Sequence, residues 1–303
     1  MAAAIHYAID HGARIINLSL GGELVTELER QAADRAREAG VLLVVAAGNK
    51  GLDTGRFGYP GLPGALVVGA SNLDDGRAGF SNFGADIDVL APGVDVLSLR
   101  ARDSDFIGLS GAPDYPAGGA TVGEDGAYYR ASGTSFAAAL VSGLASRILA
   151  VRPGFSADDL RRVLLAGALD LDAPGTDQTT GHGRVDLIGA LGADPGDYVE
   201  ARLTGVELSL ERQQVWLAFT GTAEGSEFAA ARLEVRADPD AVPDGPPEDR
   251  RLSRRERREI EERLARLRDW QTLGAPLTAQ ASDAILARRR LDDLMAMTDG
   301  ITA

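Results

Sequence analysis

The fold is decided by Val41-Leu42-Leu43-Val44-Val45-Ala46-Ala47-Gly48-Asn49, a continuous apolar run that ends in two small residues, a glycine and an amide. A second run of the same kind follows at Ala65-Leu66-Val67-Val68. Such runs are typical of strands that helices cover on both faces. Because amphipathic helical stretches alternate with them, the sequence predicts a βαβ succession. The predicted fold class is α/β, with three layers and a mostly parallel sheet.

Further elements are predicted on both sides of this run. Ser156 with Asp159 resembles a capping box that opens a helix toward Ala168. The remaining predicted elements are a helix over 2–11, a strand over 14–20, a helix over 23–39, a strand over 86–90, a long loop over 103–127 and a buried helix over 135–151.

Four regions are predicted along the chain of 303 residues. They are a main domain over 1–195, a small antiparallel β region over 196–237, a Pro/Asp linker over 238–248 and a charged helical region over 249–303. In the last region Ile260, Leu264, Leu267 and Trp270 have helical spacing, which favours a solvated helix that packs on a neighbour. Ser282 is expected to cap a last helix that ends near Gly300.

Composition excludes several classes of function. A formal charge of −14 argues against nucleic-acid binding, which needs clustered cations. The chain has no cysteine, so disulfides, thiolate metal sites and a cysteine nucleophile are excluded. No apolar run reaches the roughly 20 residues of a membrane span. We therefore expect neither a nucleic-acid partner nor a membrane-spanning segment.

Two polar residues stand where catalytic groups are found in α/β proteins. Ser135 opens an apolar helix in Gly133-Thr134-Ser135, where free amides and the helix dipole can stabilise an oxyanion. Asn49 follows the strongest strand, at the edge where open α/β sheets bind ligands. Taken singly, however, Ser135 could be a simple helix cap and Asn49 a turn residue.

Taken together, the motifs resemble those of subtilisin-like serine proteases. Five motifs occur in that family's order, which is hard to obtain by chance: Ile15 to Gly22, Ala46 to Asn49, Phe80 to Gly84, Ala91 to Gly93, and Gly133 to Ser135. The resemblance extends to about residue 192 and includes Gly181 to Asp186. Phe136 and Ala139 depart from the family, which usually has Met and Pro at these positions.

The resemblance implies a role for each matching residue. Ser135 would be the acylated nucleophile, and Asn49 would donate to the oxyanion together with the Ser135 amide. The segment Ser19, Leu20 and Gly21 would pair with an extended substrate backbone, and Ala46, Ala47 and Gly48 would line the P1 pocket. The implied partner is a polypeptide substrate. The resemblance implies no cofactor, and no metal ligand is assigned because no Asp-rich loop matches a calcium site.

The catalytic Asp and His of that family have no counterpart in the expected place. Asp53-Thr54-Gly55 has the letters of the family's Asp motif but follows Asn49, so we interpret it as a loop. None of His6, His11 and His182 has the family's His-Gly-Thr-His context. We expect a missing N-terminal segment or a complementing chain to supply both groups, and we expect this chain alone to be marginally stable, with an apolar sheet edge uncovered.

Three functional hypotheses follow from these residues. The first is a serine endopeptidase that acts through Ser135. The second is a non-catalytic peptide-binding or degenerate protein with the same sheet. The third is another serine hydrolase that uses His182 as its base, which requires His182 to lie close to Ser135. Localisation stays open; the resemblance favours secretion if the intact gene encodes a signal peptide.

Overall fold

The computed structural model describes residues 1–22, 24–100, 121–123, 126–235, 254–268, 271–273 and 275–298. The chain divides into two compact units, Met1–Gly196 and Asp197–Ala303. The predicted linker over 238–248 lies outside the described residues, as do Trp270 and Gly300.

The first unit is built on a parallel sheet, as the apolar runs predicted. Its strands are β1 (Ile15–Leu18), β2 (Leu42–Ala46), β3 (Ala65–Ser71) and β4 (Val89–Pro92), in the spatial order β1-β2-β3-β4. The two central strands, β2 and β3, are buried along their whole length. The predicted strand over 86–90 begins later, at Val89. In this sheet β1 is a terminal strand.

Helices cover both faces of this sheet. Helices α1 (Ala2–Asp10) and α2 (Glu27–Glu38) share one core cluster with Leu43 and Val45 of β2. Helices α3 (Thr134–Val151), α4 (Ala157–Ala166) and α5 (Leu187–Gly192) share the other cluster with Leu42 and Val44. Because successive side chains of a strand point to opposite faces, the two helical groups lie on opposite sides of the sheet. The three-layer α/β class is confirmed.

Helix α3 is the central helix of its layer. By length and composition alone it could cross a membrane, the one helix to do so in the part of the chain that the structure describes. Its side chains Ala138, Val141, Ala145 and Ile148 are buried in the core cluster under the sheet. Packing in the core therefore accounts for its apolar sequence.

Local capping sets the start of two helices. Helix α2 begins at Glu27, four residues later than expected, because Thr26 and Glu29 form a capping box there. The predicted capping box of Ser156 and Asp159 is confirmed at the start of α4.

A small antiparallel sheet leads into α3. It consists of β5 (Val96–Leu99), β6 (Thr121–Val122) and β7 (Tyr128–Ala131), in the order β5-β7-β6. Of the predicted long loop over 103–127, residues 103–120, 124 and 125 lie outside the described residues. After β7 the Gly133 amide donates to the Gly93 carbonyl over 2.7 Å, which joins the start of α3 to the end of β4.

The second unit contains a three-stranded antiparallel sheet in the order β12-β9-β8. The elements of this unit are β8 (Val199–Glu211), β9 (Gln214–Gly225), β10 (Glu234–Val235), α6 (Arg254–Arg268), β11 (Gln271–Thr272), β12 (Ala281–Arg290) and α7 (Leu291–Thr298). Leu264 of α6 is buried, in keeping with the predicted apolar face.

The expectation of a helix capped by Ser282 is wrong. Residues Ala281–Arg290 form β12 and pair with β9, and a helix begins only at Leu291. The region 249–303 is therefore not purely helical. Pairing with β9 outweighs the helical preference that the alanines, the leucine and the arginines give this segment.

Candidate active site

Ser135 lies in the first turn of α3 but does not cap it. The N-cap residue is Gly133, and the Ser135 hydroxyl donates instead to the main-chain oxygen of Ser19, 3.3 Å away. A capping serine would accept from an amide of its own first turn. The simple cap interpretation of Ser135 is therefore wrong.

A reciprocal pair of hydrogen bonds joins the start of α3 to the end of β1. While the Ser135 hydroxyl donates to the Ser19 carbonyl, the Ser19 hydroxyl donates to the Ser135 carbonyl over 2.7 Å. Asn17 extends this contact, since its Nδ2 donates to the Ser19 Oγ over 2.8 Å. Two segments that the sequence analysis assigned to one site, 116 residues apart, are in direct contact.

The Asn49 side chain is held in one orientation by Thr134. Its Oδ1 accepts from the Thr134 amide over 2.8 Å and from the Thr134 hydroxyl over 2.9 Å. Since only the oxygen of an amide can accept, these two bonds fix which end is which. The opposite end, Nδ2, lies beside Gly133, where a Cβ would be 3.4 Å away from it. Asn49 is therefore more than a local turn residue.

Two hydrogen-bond donors at the start of α3 have no acceptor among the described residues. Asn49 Nδ2 makes no hydrogen bond to the described part of the chain. The Ser135 amide likewise has no acceptor there, whereas the Phe136 and Ala137 amides bond to the Gly133 carbonyl. A free amide at a helix start carries the positive end of the helix dipole. The arrangement can accept a negatively charged oxygen at this point.

The other predicted site residues lie around these donors. Leu20, 46% exposed, and Gly21 continue beyond β1 into solvent. The side chains of Ala46 and Ala47 are buried in the two core clusters, on opposite faces of the sheet. Gly48 is partly exposed, and its amide donates to the Thr134 hydroxyl over 3.1 Å. Of the proposed pocket segment 46–48, Gly48 is thus the part in direct contact with the Asn49 network.

None of the three histidines is hydrogen-bonded to Ser135 among the described residues. His6 belongs to α1, and His11 follows that helix and stacks on Tyr7 at 3.9 Å between ring centroids. Both therefore lie in the layer on the far side of the sheet from α3. Neither is placed to act as a base for Ser135.

His182 lies at the wrong end of β4. Its amide donates over 2.8 Å to the Asp88 carbonyl, just before β4, whereas Gly133 bonds to Gly93, just after it. Five residues of strand separate these points by about 16 Å. Burial lowers the pKa of His182, and Arg161 adds to this effect, while the carboxylates of Asp88 and Asp170 oppose it. The hypothesis of a hydrolase with His182 as base is wrong.

Other candidate groups contribute nothing to the site. Asp53 accepts from the Gly55 amide over 2.8 Å and begins a short 3-10 helix, Thr54–Arg56, which agrees with its interpretation as a loop residue. Among the described residues no three His, Asp or Glu side chains converge in a way that could hold a metal ion.

Sequence reasoning missed the role of Thr134. This residue is fully buried and joins Gly48 to Asn49 through one hydroxyl. Its place between Gly133 and Ser135 was noted, but nothing in the sequence shows a bond across 85 residues.

The comparisons with known proteins agree with this geometry. The model of the subtilase family matches residues 1–183. The chain belongs to the subtilase family. It is 38% identical over 195 residues to fervidolysin of Fervidobacterium pennivorans, and the aligned region covers 63% of this chain and 27% of that protein. It is 33% identical over 174 residues to subtilisin DY of Bacillus licheniformis, and the aligned region covers 56% of this chain and 55% of that protein.

A solved structure adds a likeness in three dimensions. The crystal structure of a lanthipeptide protease matches with a TM-score of 0.52 and 25% identity, over 63% of this chain and 64% of that one. Since the chain spans about half of subtilisin DY and about a quarter of fervidolysin, it corresponds to a part of these relatives. Membership of this family makes the chain a relative of serine-type peptidases.

Proposed function

We propose that the protein is a serine endopeptidase that hydrolyses peptide bonds through an acyl-enzyme at Ser135. The observation that carries the proposal is a pair of donors at the start of α3, Asn49 Nδ2 beside Gly133 and the Ser135 amide, that have no acceptor among the described residues. Oriented donors of this kind stabilise the tetrahedral oxyanion of acyl transfer. The subtilase family match makes this chemistry the natural use of the site.

In the proposed reaction the Ser135 Oγ attacks the carbonyl carbon of the scissile peptide. The hydroxyl proton passes to a general base, and the carbonyl oxygen becomes an oxyanion that accepts from Asn49 Nδ2 and the Ser135 amide. The base then protonates the leaving amine as the C–N bond breaks. Water attacks the acyl-enzyme in the same way and releases the carboxylate product and free Ser135.

Substrate binding is proposed at the end of β1. Ser19, Leu20 and Gly21 continue this terminal strand into solvent, and Ser19 touches Ser135. A substrate added as a further strand would therefore pass the nucleophile in extended form. Gly48, with the main chain of Ala46 and Ala47, would border the pocket for the side chain before the cleaved bond.

The general base and its carboxylate partner are proposed to come from polypeptide beyond these 303 residues, either an N-terminal segment or a second chain. The three histidines at residues 6, 11 and 182 are all placed away from Ser135. The terminal strand β1 supports the proposal, because it offers an edge at which a further strand could add.

A second candidate is a protein that binds peptides without hydrolysing them. It rests on the hydrogen bond that the Ser135 hydroxyl makes. In the described part of the chain the Ser135 hydroxyl is bonded to no base and donates to the Ser19 carbonyl. Peptide affinity together with a lack of hydrolysis would favour this candidate.

The test begins upstream of the Met1 codon. The genomic sequence is translated in frame and searched for Asp-Ser/Thr-Gly followed by His-Gly-Thr-His. A protein that contains both motifs is then expressed and treated with a fluorophosphonate probe and a casein substrate. We expect labelling and hydrolysis, both lost in Ser135→Ala and both kept in Ser209→Ala, a serine of the second unit. Full activity in Ser135→Ala would refute the assignment.

A further inference from the structure

The segment that carries Asn49 has little regular structure of its own. It follows β2 and runs from Ala47 to Leu52 through bends and turns. Such a segment positions a side chain only if other groups hold its main chain. Thr134 holds the Asn49 amide from one side, so the question is what holds the main chain around it.

One fully buried side chain, that of Asn82, is bonded to the segment on both sides of Asn49. Asn82 Nδ2 donates to the Ala47 carbonyl over 2.9 Å. Its Oδ1 accepts from the Lys50 amide over 3.0 Å and from the Leu52 amide over 3.1 Å. The nitrogen and the oxygen of one amide group thus connect the residues before and after Asn49.

The main chain of Asn82 and the residue at position 48 complete this contact. The Asn82 amide donates to the Gly48 carbonyl over 3.0 Å. Gly48 has φ +105°, and a Cβ there would lie 2.4 Å from Asn82 Nδ2. Only glycine combines this backbone conformation with so close an approach. Gly48 and Asn82 are therefore fitted to each other directly beside Asn49.

We propose that Asn82 is a positioning residue for Asn49. It fixes the main chain at Ala47, Gly48, Lys50 and Leu52. Asn49 is thereby placed so that its Oδ1 accepts from Thr134 while its Nδ2 is directed at the oxyanion position. The role in catalysis rests on the proposed function of Asn49, whereas the positioning itself can be measured without catalysis. Buried second-layer partners of this kind commonly orient the groups that act on the substrate.

The experiment uses the fact that the sequence has four asparagines, Asn17, Asn49, Asn72 and Asn82. The chain labelled with ¹⁵N-asparagine therefore gives four side-chain amide pairs in a nitrogen–proton correlation spectrum, and single substitutions assign them. In Asn82→Ala we expect the Asn49 pair to shift and broaden as its Nδ2 samples several orientations. The Asn17 pair, on β1, should stay at its wild-type position.

The matched control is Asn72→Ala. Asn72 also organises a loop through its side chain, since its Oδ1 accepts from the Asp74 and Gly76 amides. Because that loop follows β3 and not β2, the Asn49 pair should not move in this variant. A shift of the Asn49 pair in Asn72→Ala equal to that in Asn82→Ala would overturn the proposal, because any loosened loop would then have the same effect.

An unchanged Asn49 pair in Asn82→Ala would also overturn it. If Asn82→Ala fails to fold, Asn82→Asp decides, because it keeps an oxygen for both acceptor bonds and replaces the donor to Ala47 by an oxygen that repels the Ala47 carbonyl. A shift of the Asn49 pair in that variant supports the proposal, and no shift refutes it. In a form with peptidase activity the same variants should lower kcat and leave KM unchanged. Failure of the proposed function would appear separately, as activity that survives Ser135→Ala.

Discussion

At the scale of single residues, Thr134 makes three of the hydrogen bonds that hold the candidate site together. Its hydroxyl accepts from the Gly48 amide and donates to Asn49 Oδ1, while its own amide donates to the same oxygen. The side chain is fully buried, and its hydroxyl is bonded to Gly48 and Asn49. One oxygen atom therefore links the glycine and the amide on which the proposed oxyanion site depends.

Replacement of Thr134 by valine should be costly despite its equal size. The Gly48 amide would lose its acceptor and Asn49 Oδ1 one of its two donors. Since Gly48 is partly exposed, the cost is expected at the lower end for an unpaired polar group, about 1 kcal/mol. We expect the free energy of unfolding, measured by urea titration with circular dichroism, to fall by about that amount. Thr134→Ser keeps the hydroxyl and is the control. Equal stability of the two variants would contradict the role assigned to the hydroxyl.

The sequence identified the proposed catalytic residues better than the residues that hold them. Ser135 and Asn49 could be found because a serine at a helix start and an amide after a buried strand are local patterns. Thr134 and Asn82 act on residues 85 and 30–35 positions away, through bonds that only the folded chain creates. A local pattern can reveal a reactive group, but its support comes from tertiary contacts.

At the scale of elements, β1 is fastened to α3 by a chain of side-chain hydrogen bonds. The Ser142 hydroxyl donates to Asn17 Oδ1 over 3.1 Å, and Asn17 Nδ2 donates to the Ser19 Oγ over 2.8 Å. In the sheet β1 pairs with one strand, β2. The side-chain hydrogen bonds to α3 therefore contribute more to holding β1 in place than they would for a central strand, which is paired on both edges.

The substitution Asn17→Ala should loosen β1 selectively. Both side-chain bonds of Asn17 disappear, and its exposed position limits the loss of global stability to about 1 kcal/mol. We expect hydrogen exchange of the amides in Ile15–Leu18 to accelerate, while those of β3, in the middle of the sheet, keep their rate. Ser209→Ala in the second unit is the control. Equal acceleration in β1 and β3 would mean that Asn17 stabilises the unit as a whole.

Strands that are buried along their whole length could be predicted from the sequence. A strand that depends on pairing with a distant segment could not. The strands β2 and β3 are continuous apolar runs, and the strength of that pattern leaves few alternatives. Strand β12 has the sequence Ala-Ser-Asp-Ala-Ile-Leu-Ala-Arg-Arg-Arg, in which no alternation marks a strand. Its conformation comes from its pairing with β9, a partner almost 60 residues earlier that the local sequence does not reveal.

At the scale of the whole first unit, the two ends of the parallel sheet have different tasks. The carboxyl ends of the strands carry Ser19, Asn49 and the contact to Ser135. The opposite end carries a buried ion pair, in which Asp88 Oδ1 lies 2.6 Å from Arg161 Nη2 of α4. Asp88 also accepts from the Val67 amide over 2.7 Å, and Arg161 donates to the Ala65 carbonyl over 3.0 Å. This end joins α4 to the sheet, and the candidate active site lies at the other end.

His182 makes the stability of this end depend on pH. Burial holds the pKa of His182 below its ordinary value of 6.5, so the unfolded chain takes up a proton at a higher pH than the folded chain does. Above about pH 6.5 both states are neutral at this residue and the folded state carries no penalty. As the pH falls toward the folded pKa, the unfolded state gains the proton first, and stability is lost.

The substitution His182→Gln should therefore flatten the pH dependence of unfolding. Glutamine does not titrate, and the main-chain bond from residue 182 to the Asp88 carbonyl is kept. We expect the wild-type chain to lose more stability between about pH 8 and pH 5 than the variant does, measured by urea titration with circular dichroism at both values. Carboxylates contribute equally to both proteins, so the difference between the two slopes isolates His182. If His182→Gln kept the wild-type dependence, the partly buried imidazole of His182 would have no part in the acid sensitivity of the fold.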